Sequence, residues 1–163
     1  GAGRYRVVAA AARGGTVMGT LNVFQAYELT IDGEQLVGGS RSAPVQITVD
    51  GKRVEYYRSL ATATTITPWT GTDSSAAISN FDFLYLESDQ NVFLELTADS
   101  GGEVGTVVFA IEVQASRPFM LCSDDAYAIY TANFSTGTED LIDRVRIRNV
   151  SGTTANVRLL LVT

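Results

Sequence analysis

The 163-residue sequence contains no histidine, a single cysteine and a single lysine. Without histidine it lacks the commonest general base, the commonest neutral metal ligand and the base of every Ser-His or Cys-His nucleophile pair. Hydrolytic triads are therefore excluded, and the chain is expected to be non-enzymatic. The lone Cys122 allows no intramolecular disulfide. It stands in "PFMLCSDD" and reads as a small buried hydrophobe rather than a reactive thiol. Neither a metal nor another cofactor is expected: Asp124 and Asp125 in "SDDAY" lack the spaced acidic loop of a strong calcium site and read as a solvated turn. No run of about 20 apolar residues occurs, and no charged segment followed by an apolar stretch opens the chain. Neither a membrane span nor a signal peptide is expected. "NFS" at Asn133 and "NVS" at Asn149 match glycosylation acceptors, but without an export signal they read as chance.

Twelve basic residues stand against eighteen acids, a formal charge of -6, which repels phosphate backbones and argues against a nucleic-acid partner. Eleven of the twelve bases are arginine, Lys52 being the exception. Arginine is enriched and lysine depleted at protein interfaces. Codon bias in a GC-rich genome gives the same skew, and composition alone does not separate the two.

The length suits one domain with its own core. No window of a dozen residues sustains a 3.6-residue apolar period, whereas period-two runs bounded by Gly, Ser, Asn and Asp dominate. Strands are predicted over Leu21 to Ile31, Val45 to Val49, Arg53 to Leu60, Phe81 to Glu87, Asn91 to Thr97, Val104 to Gln114, Ala126 to Ala132, Leu141 to Val150 and Ala155 to Val162. About nine short strands predict an all-β chain, an antiparallel β-sandwich or jelly roll over residues 21–163. Residues 1–20, small, Gly-rich and basic, read as a flexible N-terminal arm whose contacts would run through Arg4, Arg6 and Arg13. "TVDGKR" is a hairpin signal of the Asp-Gly kind, and "ESDQNV" and "NVSGTTAN" read as a second and a third hairpin. Ser59 to Asn80, rich in Thr and Ser, reads as a long polar connection.

"DRVRIRNVSG" sets Arg144, Arg146 and Arg148 at alternate positions. In a strand they share one face, with Val145 and Ile147 on the other. If "SGTT" closes a hairpin to the last strand, Arg158 joins them, with Leu160 and Val162 alongside. Four like charges beside exposed aliphatics call for a cover: carboxylates of the same chain, a neighbouring subunit, or a small anion. An ordinary solvated strand face is the remaining reading.

Trp69 in "TPWTGT" and the adjacent Tyr56 and Tyr57 are candidates for stacking on sugar rings. The alternative for Trp69 is that it caps the sandwich under its own loop.

The ending "IDRVRIRNVSGTTANVRLLLVT" resembles the closing hairpin of small β-rich bacteriophage virion proteins: head decoration proteins, head fibres and tail-associated sandwiches. The resemblance covers about the last twenty residues and transfers no functional residue. It implies a structural component of a capsid or tail, homo-oligomeric, assembled in the host cytoplasm, with other virion proteins as partners and no membrane. A carbohydrate-binding sandwich, such as the receptor-binding part of a fibre with a glycan as partner, is the alternative.

Overall fold

The computed structural model describes residues 19–31, 34–49, 52–71, 78–98, 107–122, 128–130 and 139–163. They form eleven strands and no helix: β1 (Gly19–Ile31), β2 (Glu34–Val49), β3 (Arg53–Leu60), β4 (Thr65–Thr70), β5 (Phe83–Ser88), β6 (Val92–Ala98), β7 (Val107–Val113), β8 (Phe119–Cys122), β9 (Ala128–Tyr130), β10 (Glu139–Asn149) and β11 (Ala155–Val162). The predicted arm, with Arg4, Arg6 and Arg13, lies outside the described residues except for Gly19 and Thr20, which open β1. Asp124, Asp125 and Asn133 also lie outside them.

Two antiparallel sheets, ordered β3-β11-β5-β8 and β4-β10-β6-β7, make the expected β-sandwich, with β9 added to the start of β10. Alternation along the strands sets their inner faces. Ala155, Val157, Leu159 and Leu161 of β11 meet Ile142, Val145 and Ile147 of β10 in one core with Leu84, Leu86, Leu94 and Leu96. All are essentially inaccessible to water, and each large aliphatic side chain so buried contributes roughly 1.5–3 kcal/mol of transfer free energy.

Connections differ from the sequence reading. β10 and β11 are not paired; "NVSGTTAN" arches from one sheet to the other. "ESDQNV" likewise carries the chain from β5 across to β6, and β2 pairs with β1 rather than with β3 across "TVDGKR". Asn149 explains the last arch. It is fully buried, its Nδ2 donates to the carbonyls of Leu60 and Thr153 at 2.8 Å each, and its Oδ1 accepts from Ser151 N at 2.9 Å and Ser151 Oγ at 2.7 Å. Its backbone N–H donates to Thr64 O and its carbonyl accepts from Ala63 N, so one residue ties the β3–β4 corner to the β10–β11 arch. A buried amide so fully bonded is unsuited to glycosylation.

Two strands fall where no strand is predicted. β4 is an edge strand in which Pro68 breaks the period-two signal. Its register against β10 shifts between the pairs Val145↔Trp69 and Ile147↔Ile66, leaving Thr67 and Pro68 in a bulge, where a missing N–H costs no ladder bond. β8 has four residues and lies at the other sheet's edge.

β1 and β2 form a separate ribbon. Val23 is buried against Phe83 and Val162, with Leu21, Tyr85, Cys122 and Leu160 packed around them. The ribbon thus covers the part of the outer surface of the β3-β11-β5-β8 sheet around Phe83 and Val162, which explains why "FLYL" in β5 is apolar on both faces.

Candidate interaction surfaces

Because β10 and β11 belong to different sheets, the arginines separate. Arg144, Arg146 and Arg148 project from the outer face of the β4-β10-β6-β7 sheet, and Arg158 from the outer face of the opposite sheet. The expected four-arginine ladder does not form. The parity argument places each arginine correctly outward on its own strand, but alternation is satisfied equally by a hairpin and by an arch.

On the β11 side compensation is internal. Arg158 Nη1 lies 3.4 Å from Glu87 Oε1, and its guanidinium stands 5.3 Å from the ring centroid of the exposed Tyr57. Tyr85 donates its hydroxyl proton to Glu87, and this bond together with partial burial raises the phenol above its ordinary pKa. Leu160 and Val162, expected at a subunit contact, are instead covered by Leu21 and Val23 of the same chain. The half-buried Cys122 belongs to the same patch.

On the β10 side the cover is incomplete. Arg146 Nη1 is 2.9 Å from Glu95 Oε1, its direct cross-strand neighbour. Arg144 Nη2 reaches Thr97 Oγ1 at 3.4 Å, while its Nε is buried with no hydrogen-bond partner among the described residues. Arg148 is exposed and has no ion-pair partner among the described residues. Its cross-strand neighbour Phe93 is 39% exposed, a large apolar ring left in water. Thr65, Phe93, Glu95, Ala110, Arg146 and Arg148 line an open dish of about 200 Å³. Phe93 is the site residue that sequence reasoning passed over. Its signal was present: in "NVFLELT" the inward row is Val92, Leu94 and Leu96, which puts Phe93 on the side of Glu95.

Two of the three stacking candidates are unavailable. Trp69 is buried, its Nε1 donates to Ile78 O at 3.1 Å, and its ring meets Phe81 edge-on at 5.4 Å. Tyr56 belongs to the core and its hydroxyl accepts from Arg58 at 3.2 Å. Only Tyr57 is open, and Arg158 lies over it. Gly71 holds Trp69 in place: a Cβ there would stand 2.4 Å from Ser79 O and 2.8 Å from the Trp69 ring, while its N–H donates to Asp143 O at 2.6 Å.

No protein-family model, curated protein or solved structure matches this chain.

Proposed function

We propose that this chain is a non-enzymatic structural protein of a bacteriophage virion, a head decoration or head/tail accessory component that works by protein-protein contact and self-assembly in the host cytoplasm. The observation that carries the reading is the β1–β2 ribbon: among the described residues its strands of 13 and 16 residues pair with each other and not with the sandwich, and Leu21 and Val23 pack on the sandwich. A lone two-stranded ribbon is marginally stable in water and offers unpaired edges, so its length serves a molecule whose neighbours cover it. The strand orders β3-β11-β5-β8 and β4-β10-β6-β7 support a jelly-roll winding, an architecture that viral capsid and lectin domains share. Fold alone assigns neither.

Carbohydrate binding is the second reading, favoured by the dish around Phe93 and Arg148. The test is mass spectrometry of particles purified from cells carrying the gene in its native genome. The chain is expected in the particles at a fixed ratio to the major shell protein. A chain abundant in the lysate but absent from particles overturns the virion reading, and glycan-array binding lost with Phe93→Ala supports the second.

A further inference from the structure

We infer that the β1–β2 ribbon of one copy docks on the arginine face of the next copy, in a head-to-tail contact. This rests on the self-assembly reading and names the partner as a second copy of this chain.

Three observations converge. First, charge is complementary. Over residues 19–49 the sequence of the ribbon contains three acids, Glu28, Asp32 and Glu34, against one basic residue, Arg41, with Glu34 exposed at the far end of the ribbon. The face it would meet carries Arg144, Arg146 and Arg148 against Glu95 and Glu112, and Arg148 has no ion-pair partner among the described residues. Second, the face is unfinished. Phe93 is left 39% exposed beside Arg148, and the mixture of arginine and aromatic surface is typical of interface centres. Third, the contact cannot close within one molecule. The ribbon is anchored on the outer surface of the β3-β11-β5-β8 sheet, and the arginines point away from the other side of the sandwich. From Val23 to Ile31 the ribbon is roughly 25 Å long, long enough to lie across a neighbour.

A ribbon laid on a four-stranded face buries less than a standard interface. Single contacts are therefore weak, and stability comes from closure of a ring or from a particle surface that holds the copies together.

The experiment uses the full chain, with light-scattering mass measured over a concentration series at low and high salt. The wild type is expected to associate, less so at high salt. Arg148→Glu and Glu34→Arg are each expected to raise the concentration of half-association at least about tenfold, by setting like charges across the contact. Both positions are exposed, and circular dichroism is expected to give unchanged unfolding midpoints. Mixing the two variants is the decisive arm. The wild-type ribbon of Arg148→Glu fits the wild-type face of Glu34→Arg, and the reversed ribbon of Glu34→Arg meets the reversed face of Arg148→Glu with opposite charges, so the mixture is expected to regain association that neither variant shows alone. A wild type that stays monomeric, variants that associate like the wild type, or a mixture that associates no better than either variant alone overturns the inference. Arg148→Glu that abolishes acidic-glycan binding while leaving self-association intact also overturns it and makes the face a ligand site. Particle composition is measured separately, so a chain found in particles whose variants associate normally refutes the contact and leaves the virion reading standing.

Discussion

Asn149 shows how much of this molecule depends on one side chain. It bonds two carbonyls and a serine of the arch while wholly buried. Asn149→Ala leaves Leu60 O and Thr153 O without that donor, and a loss of about 1–3 kcal/mol is expected from denaturant midpoints. Gly71→Ala is expected to destabilise as well, since the added methyl meets a backbone carbonyl and the Trp69 ring. The readout is a red shift and quenching change of the single tryptophan's emission as Trp69 is displaced. Asp89 gives a pH-dependent term. It accepts from Asn156 N at 2.7 Å and from Asn156 Nδ2 at 2.6 Å, which hold its carboxyl below the usual carboxylate range. A depressed folded pKa contributes stability above the unfolded value and loses it as pH falls through the folded one. The stability gap between wild type and Asp89→Asn is therefore expected to shrink from about pH 4 downward, as followed by urea unfolding at stepped pH.

At the scale of elements, β1 has two tasks: it pairs with β2 along its whole length and it covers the outer surface of β5 and β11 at one end. Among the described residues the main core contains none from β1. Val23→Asp is expected to release the ribbon while leaving the sandwich folded. Limited proteolysis should then cut within residues 19–49 much faster than in the wild type, with the cooperative unfolding midpoint of the remainder little changed. Loss of all protection along the chain would instead make the ribbon part of the folding unit. In β10, the half-exposed Arg146–Glu95 pair is expected to contribute no more than about 1 kcal/mol. Arg146→Ala is thus nearly silent in stability, and Arg148, lacking such a pair, is the cleaner probe of assembly.

For the whole molecule, the sandwich has one outer surface partly covered by its own chain around Phe83 and Val162 and one left with an exposed phenylalanine beside an arginine that has no ion-pair partner among the described residues. In the proposed contact the ribbon is the donor and the arginine face the receiver. A contact between unlike surfaces repeats until it closes on itself or is stopped. Expected assemblies are rings or arrays rather than two-fold dimers, and negative-stain images of the concentrated wild type would distinguish them.

Strand faces were determined by the sequence alone, because side-chain alternation is a local property of extended backbone. β3 and β11 span the residues expected of them, and Val145 and Ile147 point inward between outward arginines as their spacing requires. Partnership was decided only in three dimensions. A polar turn such as "NVSGTTAN" serves a hairpin or an arch, and both satisfy the same inner row. The arch prevails here because the inner rows of β10 and β11 bury each other face to face and Asn149 satisfies the backbone groups of the corner. The same decision separated Arg158 from the other three arginines and sent Leu160 and Val162 under β1. Trp69 entered the core for a related reason: a strand broken by Pro68 has no legible period, yet an edge position with a bulge accepts it.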